Sequence, residues 1–217
     1  MYSNSATIEI AKPKVFTMGA VVAVNAYGLL LVAPLLLSIL AISLLTFSLL
    51  TILIPFLVMV ATAYLLPFGL GNTHIARLVR SISSDAVEGE TFVVQLTLSP
   101  RIRTGLRAVL EDADDIGYLT FTSAGLRFRG DSVTLSVPFD RIAKVQPQNV
   151  GLRGSFVYGR RIKVVVSGLP RVESFEFAER TSWLLPKSRA ITRSLCQRLS
   201  TKAPQPTSHT VSSDATY

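Results

Sequence analysis

Cysteine and histidine are nearly missing from this chain of 217 residues. Cys196 is the only cysteine, so no intramolecular disulfide can form and the fold does not depend on an oxidising compartment. His74 and His209 are the only histidines and lie far apart, so with one cysteine they form no recognisable metal-ligand set. We therefore expect neither a metal nor a cofactor.

Catalytic sequence motifs are missing as well. The chain has no G-x-S-x-G, no glycine-rich phosphate loop, no H-E-x-x-H and no C-x-x-C. The acidic residues Glu111, Asp112, Asp114 and Asp115 lack the spacing of a calcium loop, and we predict that they lie in a solvated loop. The R-G-D at 129–131 falls in a predicted hairpin turn, and turn chemistry explains it. We predict that the protein is not an enzyme and has no catalytic residue.

Charge is absent from residues 15–73, which contain no Asp, Glu, Lys, Arg or His. A spanning helix needs roughly 20 apolar residues, so this stretch is long enough for two spans with a short turn. We predict the spans at 16–39 and 44–67, with the apex at 38–43. No carboxylate, arginine or histidine lies within them, which excludes a proton relay.

Basic residues flank the charge-free stretch on both sides. Lys12 and Lys14 precede it, and Arg77 and Arg80 follow it. Positive charge at both ends favours both ends on the cytoplasmic side, which an even number of spans allows. We expect an integral membrane protein, in a bacterial inner membrane, with both termini in the cytoplasm.

Small and polar residues within the predicted spans suggest helix packing. Gly19 and Ala23 form a small-xxx-small pair, and Asn25 is the most polar side chain there. They are candidates for transmembrane packing, either with a second protein or with the second span of the same chain. Pro34 and Pro55 lie at similar distances from the apex, which leaves open a kinked hairpin that enters one leaflet only.

The segment after the spans, residues 71–85, is predicted to be a short helix that Asn72 or Thr73 could cap. Two interpretations stay open, a helix lying at the lipid interface and a stalk packed on the next domain. The apolar residues that share one side of this helix are Ile75, Leu78, Val79 and Ile82.

From about residue 90 the apolar residues recur with a period of two, which indicates β-strands. A final segment at 186–202 is predicted to be an amphipathic helix, and Trp183 before it is predicted to plug the core or its rim. The apolar side of this helix consists of Ile191, Leu195, Cys196 and Leu199. Seven short strands are predicted, at 91–99, 117–122, 125–130, 132–138, 141–149, 161–168 and 171–179.

The predicted fold class is a membrane protein. An N-terminal transmembrane α-helical hairpin precedes a small antiparallel β-barrel or sandwich of about seven strands, closed by a C-terminal amphipathic helix. The predicted domains are an N-terminus at 1–15, the hairpin at 16–67, a juxtamembrane linker or helix at 68–89, the β-domain at 90–202 and a disordered tail at 203–217.

The β-domain resembles the pleckstrin-homology (PH) domain, in which seven antiparallel strands precede one C-terminal helix. Residues 117–142 resemble the GRAM and bacterial PH-like families more closely, and 175–183 resembles their last strand and the start of their helix. The resemblance covers about residues 90–200, and many members of these families sit on small membrane proteins. The matching residues are Gly117, Leu119, Thr122, Leu126, Phe128, Val137, Pro138, Asp140 and Ile142.

The net charge of +8 favours an acidic partner. Nucleic acid is not expected, because aromatic residues are not interleaved with the basic ones. We predict a membrane-anchored, non-enzymatic binding module whose PH-like domain contacts anionic membrane lipids or an acidic protein partner. The alternative is a structural or accessory subunit of a larger membrane protein complex, docked through its transmembrane hairpin; the oligomeric state stays open. The candidate lipid- or partner-binding residues are Arg101, Arg103, Arg107, Arg127, Arg129, Arg153, Arg160 and Arg161.

Overall fold

The computed structural model describes residues 5–46, 50, 52–58, 67–82, 89–105, 113–148 and 160–203. Within them, eight antiparallel strands form one curled sheet in the order β1-β5-β4-β3-β2-β8-β7-β6. The strands are β1 (Thr7–Ile10), β2 (Glu90–Ser99), β3 (Asp115–Phe121), β4 (Gly125–Gly130), β5 (Val133–Pro138), β6 (Ile142–Gln148), β7 (Arg161–Val166) and β8 (Ser174–Glu179). The long helices described are α1 (Met18–Thr46), α2 (Pro67–Ile82) and α3 (Leu185–Lys202).

Apolar side chains on the inner face of the curled sheet form the main core. The period of two in β3 and β4 turns Leu119 and Phe128 inward, and both are fully buried. Helix α3 closes this core, because Leu195 and Leu199 pack into it. Ile191 and Cys196 are only partly buried against the same core. The seven strands predicted between residues 91 and 179 all have an observed counterpart in β2 to β8.

A second, smaller core lies on the outer face of the sheet. Phe16, just before α1, and Val21, in its first turn, pack there with Ile75 and Val79 of α2 and with Ile116 of β3. These five side chains are almost completely buried. Of the two interpretations of the segment after the spans, the stalk packed on the β-domain is therefore the one that describes α2.

Hydrogen bonds from its first turns fasten α2 to the loop that follows β8. The Asn72 side chain amide donates to the Ser182 carbonyl over 2.5 Å, and its oxygen accepts from Arg180 over 3.3 Å. The indole N–H of Trp183 donates to the Thr73 hydroxyl over 3.0 Å. Asn72 and Thr73 lie inside the helix, so neither caps it. Trp183 is 50% exposed, so it does not plug the core.

The predicted transmembrane hairpin is wrong. In the part of the chain that the structure describes, no helix combines the length and the apolar character that crossing a membrane requires. Helix α1 continues through the predicted apex at 38–43, and the described residues 50 and 52–58, within the second predicted span at 44–67, are helical as well. The integral-membrane location, which rested on these two spans, is corrected with them. A lack of charge alone therefore predicted neither where the helices begin nor where they end.

The N-terminal segment belongs to the sheet. Residues 7–10 were predicted to be part of a separate N-terminus, but they form β1 and pair with β5. Ile8 packs partly against the main core, whereas Ile10 is exposed. The sheet therefore has a strand on either side of the helical segment, and α1 begins directly beside the sheet. The predicted tail beyond Ala203 lies outside the described residues.

Candidate functional site

Two aspartates of the acidic run lie at the centre of a buried polar cluster, not in a solvated loop. Asp114 and Asp115 are both fully buried. The backbone N–H of Leu98 donates to Asp114 Oδ2 over 2.8 Å. The N–H groups of Ser132 and Val133 donate to Asp115 Oδ2 over 2.8 and 2.7 Å. The two carboxylates thus join the ends of β2, β3 and β5.

Burial changes the acidity of both carboxyl groups. Loss of solvation raises the pKa of Asp115 to about 6, although the N–H bonds from Ser132 and Val133 oppose this effect. The neighbouring Asp131 carboxylate raises this pKa further. Burial also raises the pKa of Asp114, and the bond from Leu98 and the charge of Arg101 work in the opposite direction.

Arg103, a predicted binding residue, is part of this cluster. Its side chain is only 9% exposed, and its guanidinium lies 3.9 Å from Asp115 Oδ1. The same group donates to the Phe16 carbonyl over 3.3 Å and to the Ser132 hydroxyl over 3.4 Å. It also lies 5.0 Å from the centroid of the Phe16 ring. Arg103 therefore holds the start of α1 on the sheet and does not face a ligand.

Arg161 is buried in a similar way. It donates to the Thr97 hydroxyl over 3.3 Å and lies 3.7 Å from the Glu176 carboxylate. Arg101 lies 3.7 Å from Asp114, with its side chain one-third exposed. Arg160 is exposed at the start of β7. The predicted binding residues Arg107 and Arg153 lie outside the described residues.

The structure brings two of the predicted binding residues together on an open surface. Arg127 and Arg129 are both exposed on the outer face of β4. With Thr120 of β3 and Thr134 of β5 they line a cavity of about 130 Å³. We call this cavity, lined by these four residues, the arginine–threonine cavity. It lies on the outer face of the sheet, outside the smaller core that α1 and α2 form there.

The sheet register fixes the arrangement of the arginine–threonine cavity. Arg127 lies opposite Thr120 of β3, and Arg129 lies opposite Thr134 of β5. Directly paired residues point to the same face of an antiparallel sheet, so both arginines and both threonines share the outer face. Glu9 of β1 pairs with Thr134 and adds one carboxylate to this face.

The aspartate of the R-G-D sequence has a structural role. Asp131 Oδ2 accepts hydrogen bonds from the backbone N–H groups of Lys14, Val15 and Phe16, over 2.9, 2.9 and 2.8 Å. Gly130 must be glycine, because a Cβ atom there would collide with the Asp115 carboxylate. Of this motif only Asp131 lies in the turn between β4 and β5, because Arg129 and Gly130 belong to β4, and Asp131 fixes the segment that leads into α1.

The three candidate helix-packing residues lie near the start of α1. Ala20 and Val21 of α1 pack with α2 and β3. The side chain of Asn25 lies outside the described part of the structure. Because the predicted transmembrane spans are wrong, the predicted role of these residues in packing such spans is wrong as well.

Among the described residues, no group of three or more His, Cys, Asp and Glu side chains could hold a metal ion. The chain matches no known protein family, no characterised protein and no solved structure. Function must therefore be argued from the site itself.

Proposed function

We propose that the protein is a non-enzymatic binding module that holds an acidic segment of a partner protein on the arginine–threonine cavity. The observation that carries this proposal is the position of Arg127 and Arg129, exposed on one strand face beside a cavity of about 130 Å³. A guanidinium offers forked donors that match carboxylates and related anions. The net charge of +8 adds a favourable long-range attraction.

The size of the cavity favours recognition of a single group over a whole substrate. Small-molecule sites usually measure roughly 300–1,000 Å³, and this cavity is only about 130 Å³. A side chain from a partner fits such a volume, with the rest of the partner lying across the sheet face.

The number of arginines favours a protein over a lipid surface. A basic residue near an anionic membrane contributes roughly 1 kcal/mol, and lipid-binding segments usually have clusters of about 4–8 such residues. Of the predicted arginines in the described ranges, Arg103 and Arg161 are buried in the polar cluster. Arg127 and Arg129 together would contribute roughly 2 kcal/mol, which is little for a membrane contact. Arg160 is exposed as well, but it lies at the start of β7, four strands away from β4 in the order of the sheet.

The test is the affinity of the full chain for a peptide rich in Asp and Glu, measured by fluorescence anisotropy. We expect Arg127→Gln and Arg129→Gln together to weaken binding about tenfold or more, since they remove the charge-assisted bonds. Arg193→Gln is the matched control, because Arg193 is exposed on α3, away from the cavity. An equal loss in the control would reject the site.

A second candidate function is an accessory subunit that docks through α1. Leu37 is 65% and Leu45 is 82% exposed on this helix, and Leu50 and Leu57 beyond it are also exposed. Exposed apolar patches of this kind mark interaction surfaces. The test is the native mass of the purified full chain in mild detergent. A complex of fixed stoichiometry that Leu45→Ser disrupts and Arg127→Gln does not would favour this candidate.

A further inference from the structure

We propose that the arginine–threonine cavity binds one phosphoryl group, carried by a phosphorylated side chain of the partner protein. This inference rests on the proposed function and names its ligand. The first step is the arrangement of donors around the cavity. Arg127 and Arg129 line it from β4, Thr120 from β3 and Thr134 from β5.

Donors on three neighbouring strands suit a tetrahedral oxyanion better than a planar carboxylate. The two oxygens of a carboxylate can be satisfied by one guanidinium fork. A phosphoryl group has three strong acceptor oxygens and carries about −1.5 to −2 charges at pH 7. It can therefore use both Arg127 and Arg129 and one or both hydroxyls at the same time.

The hydroxyl of Thr120 is held in place by its own hydrogen bond. Thr120 is 2% exposed, and its Oγ1 lies 3.2 Å from the Thr91 hydroxyl. Either hydroxyl can be the donor in this pair. When Thr91 donates, the proton of Thr120 is left for an anion in the cavity. A buried hydroxyl in a fixed position is a donor whose ordering costs little on binding.

The volume of the cavity also agrees with one phosphoryl group. A water molecule takes up about 30 Å³ of liquid, so a cavity of about 130 Å³ has room for a few water molecules or one small oxyanion. The group is expected to enter from solvent, because the cavity lies on the outer face of the sheet. The remaining partner chain can then pass over β5 and β1.

Glu9 supplies an internal control for the electrostatics. It lies on the same face, paired with Thr134, and its carboxylate opposes an anion in the cavity. We expect Glu9→Gln to strengthen binding of a phosphorylated peptide about two- to threefold at low salt. The effect should disappear at high salt, since exposed charges are screened.

The decisive experiment measures by fluorescence anisotropy how tightly the full chain binds three peptides that differ at one position. They carry phosphoserine, glutamate or serine at the central position. We expect the phosphoserine peptide to bind about tenfold more tightly than the glutamate peptide. Arg127→Lys keeps the charge but not the fork, so it should remove most of this preference. Thr120→Val should weaken binding of the phosphoserine peptide and leave binding of the glutamate peptide unchanged.

The pH dependence gives a second readout. The second pKa of a phosphate monoester is about 6, so binding should weaken several-fold as the pH falls from about 7.5 to about 5.5. Binding of the glutamate peptide should change little over this range, because its carboxylate stays ionised. A parallel change for both peptides would assign the pH effect to the protein and would count against the phosphoryl group.

The outcomes separate the two proposals. Equal affinity for the phosphoserine and glutamate peptides would overturn the phosphoryl inference and leave the binding module intact. No binding of either peptide would reject both. Phosphatidylcholine vesicles with and without phosphatidic acid form the last arm. Binding to the phosphatidic acid vesicles without binding to the peptide would overturn the protein source in favour of a lipid.

Discussion

Arg103 and Arg127 are the same residue type in one small β-domain, and their surroundings are opposite. Arg103 is 9% exposed and contacts Asp115, Ser132 and Phe16. Arg127 is exposed on the outer face of β4, beside a cavity. Both were predicted to bind a lipid or a partner. The comparison shows that a basic residue in a loop can belong to the interior, whereas one on a strand can face solvent.

The difference between the two arginines decides which properties a substitution changes. A buried charge that loses its partner leaves an uncompensated charge of the opposite sign in the interior, and such changes are costly. An exposed charge is solvated and screened, so its loss costs little stability. We therefore expect stability to depend on the buried cluster and binding to depend on the cavity.

The largest effect is expected from Arg103→Gln. The change leaves Asp115 buried with less compensation, and it removes the bonds to Phe16 and Ser132. We expect the free energy of unfolding to fall by about 3–5 kcal/mol, measured by urea denaturation. Arg193→Gln on α3 is the control and should change it by less than about 0.5 kcal/mol. Equal effects of the two substitutions would remove the distinction between buried and exposed arginines.

The second effect is a dependence of the unfolding free energy on pH, which comes from Asp115. Its pKa is about 6 in the folded chain, above the usual 3.8, so the folded state takes up a proton first as the pH falls. The unfolding free energy of the natural chain should therefore rise relative to Asp115→Asn between pH 7 and about pH 4. The full difference is about 3 kcal/mol, because one pKa unit corresponds to about 1.4 kcal/mol.

The Asp115→Asn variant is suitable for this comparison because an amide oxygen can still accept the bonds from Ser132 and Val133. Carboxylates remote from Asp115 titrate alike in both proteins, so their contributions cancel in the difference. Urea denaturation at several pH values measures it. A difference that stays constant with pH would show that Asp115 is not the titrating group.

A third effect is expected at the junction between the sheet and α1. Asp131→Ala removes the acceptor for the N–H groups of Lys14, Val15 and Phe16. We expect a loss of about 2 kcal/mol and faster hydrogen exchange of these three amides. Asp140→Ala, an exposed aspartate in the turn after β5, should leave both unchanged. Slow exchange at 14–16 in the Asp131 variant would contradict the contact.

The strands could be predicted because their pattern is local. Leu119 and Phe128 alternate with polar residues, and alternation is sufficient to define both a strand and its buried face. The same alternation placed Arg127 and Arg129 on the outward face. Strand β1 was missed because four residues next to a charge-free stretch give too short a pattern.

The buried cluster could not be predicted because its partners are remote in the chain. Asp115 is satisfied by the N–H groups of Ser132 and Val133, which lie in the next hairpin. No local pattern distinguishes such an aspartate from one in a solvated acidic loop. The two helices of the predicted hairpin were misplaced for a different reason. The absence of charge between residues 15 and 73 does not indicate where a helix ends.

The smallest effect on stability is expected from a substitution in the arginine–threonine cavity. Arg127 is exposed, and within the described residues no carboxylate pairs with it. Arg129 lies two residues away on the same face, so the two positive charges repel each other. Arg127→Gln should therefore raise the unfolding free energy slightly, by about 0.5 kcal/mol or less at low salt, and not at high salt. A fall in the unfolding free energy of 2 kcal/mol or more would mean that Arg127, like Arg103, stabilises the fold. A binding residue is instead expected to be retained at a small cost in stability, which is the result that we predict for Arg127.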